Sequence, residues 1–166
     1  MIKMPIVLVR LDDRLIHGQV TVKWAHKVNP DRIIVVNDQV AQDPIAKMTL
    51  PLAAPAGVKV SILSVNDAVS EHNSNKWDKE KVFIIVKTPF DALGLVKGGV
   101  RFDWLDVGQL GYKEGRKHVT RTVSLSEDEA KALKEVSDMG IKLIYQQLPE
   151  DKAVNFLEII KKHFNL

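Results

Sequence analysis

The chain has 166 residues, with 24 Lys and Arg against 21 Asp and Glu, and no cysteine. This length fits one domain with a sizeable core, the lack of cysteine excludes disulfides, thiolate metal sites and cysteine nucleophiles, and no apolar run approaches the roughly 20 residues that a membrane span needs. The net charge of +3 is spread among interleaved acids, with Lys113 to Arg121 as the notable basic stretch; a solvated face is its default reading, ahead of an acidic protein partner and then RNA.

The start, MIKMPIVLVRLDD, lacks the apolar length and cleavage site of a signal peptide, so the expected compartment is the cytoplasm. Val7, Leu8 and Val9 form the short aliphatic run of a buried parallel strand, and Val20, Trp24 and Val28 recur at the spacing of one helix face. The expected loop between them holds Arg10, Asp12, Asp13, Arg14 and His17. Asn29-Pro30 stops the helix, and Arg32 to Val36 reads as a second buried strand. Asp43-Pro44 starts a helix with Ile45 and Met48 on one face, and Pro51 ends or kinks it early. Gly57 precedes a strand over Lys59 to Leu63; Ser64 with Asp67 caps a short helix toward Glu71, and His72 falls at its polar end. Trp77, in the polar connector after it, reads as a surface anchor.

Lys81 to Val86 gives a fourth strand, and Thr88-Pro89 starts a helix with Phe90, Leu93 and Val96 on one face before Gly98-Gly99 ends it. Asp103 to Val107 is a fifth strand, followed by a loop punctuated by Gly108, Gly111 and Gly115. Val119 to Val123 reads as a strand; Ser126 and Glu129 make a capping box for a helix burying Ala130, Leu133 and Val136 and ending at Gly140. Lys142 to Tyr145 is the last strand, and Asp151 to Phe164 a terminal helix with Val154, Leu157 and Ile160 inward. Such alternation predicts an α/β fold: a single domain over residues 1–166 with a doubly wound, mainly parallel sheet flanked by helices on both faces.

The charged loop after the first strand lies where open α/β sheets place ligands, beyond the carboxyl ends of the strands and before a helix N-terminus that favours anions. A neutral imidazole can attack phosphorus and later release the phosphoryl group, so His17 is a candidate nucleophile. Arg14 could present its planar fork to phosphate oxygens, with Asp12 or Asp13 orienting the imidazole or holding the arginine. A helix cap and a simple ion pair fit the same residues. The glycine spacings match neither a dinucleotide-binding nor a Walker motif, so neither a nucleotide cofactor nor ATP is expected. No histidine pair has metal-ligand spacing, so no metal is expected either. His26 reads as a surface or helix-capping group, His118 as one of the basic stretch, and His163 as part of the last helix end.

The run RLDDRLIHGQV resembles the active-site signature of the IIB components of the mannose/fructose/sorbose type of bacterial phosphoenolpyruvate-dependent sugar phosphotransferase system. VNDQVAQDPIAKM (Val36 to Met48), APAGVKVSILSV (Ala54 to Val65), VKTPFDALGLVKGG (Val86 to Gly99) and GYKEGRKHVTRTVSL (Gly111 to Leu125) resemble successive blocks of that family, in its order. The resemblance implies the same α/β architecture and a phosphoryl carrier in sugar uptake. His17 would be the phosphohistidine intermediate, with Arg14 and Asp12 catalytic and Arg10, Arg14 and Gly18 around the phosphoryl group. The implied partners are a phosphorylated IIA component and membrane IIC and IID components, with a homodimer also in view. The chain would then work at the inner face of the membrane through those components, without inserting into it and without binding nucleic acid. The implied activity is that of a protein-phosphohistidine–sugar phosphotransferase. A regulatory module using phosphohistidine as a state marker, and a nucleic-acid-binding α/β domain using Lys113 to Arg121, are the alternatives.

Overall fold

The computed structural model describes residues 5–166. Its main sheet has seven strands in the order β3-β2-β4-β1-β5-β8-β9: β1 (Ile6–Asp12), β2 (Arg32–Val36), β3 (Lys59–Leu63), β4 (Val82–Val86), β5 (Trp104–Gln109), β8 (Lys142–Tyr145) and β9 (Val154–Asn155). All neighbouring pairs are parallel except β8 with β9. A two-stranded ribbon, β6 (Lys117–His118) with β7 (Ser124–Leu125), is tied to the chain just after β5 through Leu110, which bridges to Val123.

Side-chain alternation along the strands sorts the core into two clusters. Val9, Leu11, Ile34, Val36, Ile84, Leu105 and Val107 join the cluster covered by α4 (Val65–Asn73), α5 (Pro89–Lys97), α6 (Glu127–Asp138) and α7 (Phe156–His163). Leu8, Ile33, Val35, Phe83 and Ile85 face α1 (Gly18–Val28), α2 (Asp38–Ala41) and α3 (Pro44–Thr49) on the other side. Period-2 alternation with both faces apolar is what a parallel sheet between two helical layers requires. The doubly wound α/β expectation therefore holds.

The chain leaves β1 toward β2 on one side of the sheet and leaves β5 toward β8 on the other, with α1 and α6 on opposite faces. β1 and β5 are adjacent, so a crevice opens between their carboxyl ends, at the switch point where α/β folds bind ligands.

Local structure corrects several sequence expectations. β1 runs to Asp12, so Arg10 and Asp12 belong to the strand rather than to the loop. Val119 to Val123 is not a strand: the Thr120 hydroxyl accepts the Thr122 and Val123 N–H groups, and the resulting turn closes the β6-β7 ribbon. Threonine's own hydroxyl competes there with a sheet ladder. The last helix starts at Phe156, because Asn155 caps it through the Glu158 N–H and Val154 pairs with Tyr145 in β9. Trp77 is buried, 3% exposed, with its indole N–H on Glu71. In α5, Phe90 turns outward, and Ala92, Leu95 and Val96 form the buried face. Pro51 does end α3 early, and a single 3-10 turn (Leu50–Ala53) follows.

Candidate active site at the carboxyl ends of two central strands

The β1-α1 loop takes its shape from consecutive apolar residues. Leu15 and Ile16 are buried, at 7% and 4% exposure, and Leu15 is held at φ 64 to get there. A non-glycine residue in this left-handed region costs on the order of 1 kcal/mol, which the burial of both side chains against the α1-side cluster offsets. The Leu15 N–H closes a turn onto the Asp12 carbonyl at 3.0 Å. With Leu15 and Ile16 anchored inward, His17 and Gly18 are turned out to solvent.

His17 is the N-cap residue of α1, yet its side chain makes no capping bond. Its imidazole has no hydrogen-bond or ionic partner among the described residues, and its backbone N–H donates to Thr21 Oγ1 at 2.8 Å. No acidic residue stands in the first turn of α1. The N–H groups there thus favour an incoming anion through the helix dipole. Gly18 adopts φ 48 and has open space where a Cβ would sit, so the backbone can come close to a ligand at this position.

Arg14 is held by Asp12 in a fork. Arg14 Nε donates to Asp12 Oδ1 at 3.1 Å and Nη2 to Oδ2 at 3.2 Å, and the Arg14 backbone N–H reaches Oδ1 at 3.0 Å. Asp12 is 2% exposed whereas the Arg14 side chain is 31% exposed, and Arg14 Nη1 has no protein acceptor among the described residues. The arrangement pins one edge of the guanidinium and leaves the other facing solvent. Planar, charge-assisted donors of this kind suit phosphate oxygens.

Arg10 does not line this surface. It is 1% exposed; its Nη1 donates to Asp106 and, at 2.9 Å, to the Gln146 carbonyl, while Nη2 lies 3.4 Å from Asp12 Oδ2. Its position in β1, its cross-strand register with Asp106 and its packing against Trp24 keep it beneath the site, as a support for Asp12 rather than a wall of the pocket. Burial pushes the Asp106 carboxyl up to about 6 despite the opposing pull of Arg10.

The loop after β5 is tied across the crevice. Asp13 N–H donates to the Gln109 carbonyl at 3.1 Å, and Gly111 N–H donates to Asp13 Oδ2 at 2.8 Å. Arg116 then grips this loop from behind: Nη1 donates to the Gly111 carbonyl at 2.7 Å, and Nε and Nη2 fork onto Glu129 of α6 at 2.9 and 2.7 Å. Burial alone would raise Glu129, but the hydrogen bonds from Arg116 and from the Ser126 N–H hold its carboxyl below the usual range. Arg116, with its side chain 8% exposed, is thus an internal clamp rather than part of a solvated basic face.

His72, His118 and His163 are engaged elsewhere, His72 through Nδ1 at 3.0 Å from Asn73 Oδ1. His118 stacks on Tyr112 with ring centroids 4.8 Å apart and meets Ser124 Oγ at 3.0 Å. His163 Nδ1 lies 2.9 Å from the Ile159 carbonyl, and His26 is exposed in the last turn of α1. Among the described residues no group of three or more His, Asp or Glu side chains is placed to hold a metal ion, and no helix is long and apolar enough to cross a membrane.

Sequence reasoning brought together His17, Arg14, Asp12 and Gly18, and the structure places them along the turn from the end of β1 to the start of α1. It missed Asp106, Gly108, Gln146 and Arg116. The signal for Asp106 was present, since a carboxylate inside the apolar run WLDVG needs a buried cation.

Comparison with known proteins agrees with this geometry. The family model described as PTS system sorbose subfamily IIB component matches residues 6–166. The sorbose-specific EIIB component of Lacticaseibacillus casei is 40% identical over 161 residues, which is 97% of this chain and 98% of that protein. The mannose-specific EIIAB component of Escherichia coli K12 is 36% identical over 159 residues, covering 96% of this chain and 49% of that longer protein. The crystal structure of the IIB domain of the Klebsiella pneumoniae sorbose permease superposes with a TM-score of 0.92 at 38% identity, covering 96% of this chain and 98% of the other. From the His17 loop to α7, then, sequence and fold agree: the chain belongs to the sorbose-subfamily IIB components of the sugar phosphotransferase system, which serve phosphoryl transfer in sugar uptake.

Proposed function

We propose that this chain carries the phosphoryl group on His17, accepting it from a phosphohistidine of a IIA component and passing it to a hexose or hexose derivative held by membrane IIC and IID components. The observation that carries the reading is the unpartnered, exposed imidazole at the N-terminus of α1, three residues after the Asp12-held Arg14, whose Nη1 has no protein acceptor among the described residues. A neutral imidazole nitrogen attacks the donor's phosphorus in line; the new N–P bond forms as the donor's N–P bond breaks, and the donor imidazole leaves with the electron pair. Charge spread over the equatorial oxygens meets Arg14 and the first N–H groups of α1. The second transfer repeats the geometry with a sugar hydroxyl as acceptor, its proton leaving as the oxygen–phosphorus bond forms.

The partners follow from the same reading. The joined A and B units named in the mannose-specific relative support a IIA donor. Exposed Lys113 and Arg121 beside the crevice loop suit acidic partner surfaces, and would steer them toward His17 in a salt-dependent way. The chain would thus act in the cytoplasm, peripheral to the membrane through its transporter partners.

The test is to mix the phosphorylated chain with free hexoses, first without membranes and then with membranes containing the IIC and IID components. Sugar phosphate is expected in the second mixture alone. Sugar phosphate in the first would mean that the chain is itself a sugar kinase, and the carrier reading would fall.

A further inference from the structure

Beneath Arg14 runs a line of alternating charges that ends in the core. Arg10 of β1 and Asp106 of β5 are direct cross-strand partners, and both lie in the interior, at 1% and 0% exposure. Arg10 joins Asp106 to Asp12, and Asp12 joins Arg10 to Arg14. Both Asp106 oxygens are fixed, one by Arg10 and the other by the Gln146 N–H at 3.0 Å. The flanks of Arg10 are closed as well: the Trp24 ring lies 5.9 Å from its Cζ, and a Cβ on Gly108 would meet that atom at 2.2 Å. Trp24 is in turn fixed by its indole N–H on the Gln147 carbonyl at 2.9 Å.

We propose that Asp106 is a positioning residue for phosphoryl transfer: through Arg10 and Asp12 it fixes where the Arg14 guanidinium stands beside His17. This rests on the carrier reading of His17. A buried pair kept for stability alone could be replaced by apolar side chains at little cost. Here the pair has a second duty. Asp106 takes the close contact of Arg10, so Arg10 meets Asp12 Oδ2 only at 3.4 Å, and both Asp12 oxygens stay within reach of the Arg14 fork.

The ionisable groups facing Asp106 are Arg10 and Asp12, both from β1; the segment after β8 contributes the Gln146 N–H, and α1 contributes the Trp24 ring over Arg10. Burial lifts the Asp106 carboxyl to about 6, so on acidification it becomes neutral and releases part of its hold on Arg10.

The test uses phosphoramidate as a small phosphoryl donor: its P–N bond breaks as the His17 N–P bond forms, and ammonia leaves. Asp106→Ala is expected to slow labelling of His17 by about tenfold, the scale of a misplaced catalytic group. Asp106→Asn, which loses the charge that balances Arg10 and turns an amide N–H toward one of its two donors, should recover little of that loss. In an Arg14→Ala background the same Asp106→Ala change should alter the rate by less than about twofold, because the two act as one unit. An equal factor with and without Arg14 would overturn the proposal.

A second arm does not depend on the chemistry of His17. In the His17→Ala protein, the Arg14 Nε–H resonance should shift with a midpoint near 6, and the shift should vanish when Asp106→Asn is added. A resonance that stays flat in both, or that titrates alike in both, would overturn the proposal. Wild-type protein that phosphoramidate fails to label on His17 would count against the carrier reading, and the resonance would then decide the role of Asp106.

Discussion

Arg14→Lys is expected to lower the rate of phosphoryl acceptance by about 10²-fold, or about 2.7 kcal/mol of transition-state stabilisation. Lysine keeps the positive charge but loses the fork. Arginine uses Nε and Nη2 on Asp12 while Nη1 remains turned to solvent, so it can be held and can bind at the same time. An ammonium is a single point charge; when it sits on the buried Asp12 carboxylate it no longer presents a planar edge to the phosphoryl oxygens. The fold should survive, because the Arg14 side chain is 31% exposed and the charge next to Asp12 remains. Stopped reactions with a phosphorylated IIA donor, paired with thermal unfolding of the same samples, measure both effects. A variant as fast as the parent would reduce Arg14 to an ion pair of the loop.

The largest effect on stability is expected at Gly108. A Cβ there would lie 2.2 Å from Arg10 Cζ and 2.3 Å from Nη2. The end of an arginine side chain usually swings away from such an intrusion, but this guanidinium is held by Asp106, the Gln146 carbonyl and Asp12, and Trp24 covers its face. Moving it separates a buried pair. Gly108→Ala should therefore cost about 3 kcal/mol or more, the scale of overpacking combined with a broken buried ion pair. In urea this corresponds to a fall in the midpoint of about 1 M or more. An unchanged midpoint would mean that the Arg10 pocket is looser than its contacts imply.

The strands and the order of the layers were legible because a parallel sheet leaves long apolar runs: RIIVV in β2 and VFIIV in β4 could hardly lie anywhere but the core. Helix starts were legible for a local reason, since the side chains of Asp43, Ser64, Thr88 and Ser126 accept bonds from N–H groups two or three residues on. What sequence reasoning missed depends on partners far away in the chain. Arg10 looked like a loop residue because it is charged; it lies in a strand because Asp106, 96 residues later, meets it across the sheet. Arg116 looked like one cation among several until Glu129 and the Gly111 carbonyl gave it an interior place. The turn at Thr120 and the late start of α7 were hidden for the opposite reason: a hydroxyl or amide side chain outcompeted the apolar pattern over a few residues.

The exposed imidazole of His17 as the group that carries phosphorus is the centre of this account, and its most direct test is to locate the label. Incubation with a phosphorylated IIA component, digestion under alkaline conditions and peptide mapping should place a single acid-labile phosphoryl group on His17, and His17→Ala should accept none. A label on His118 or on a serine, or a His17→Ala protein that is still phosphorylated, would contradict the account.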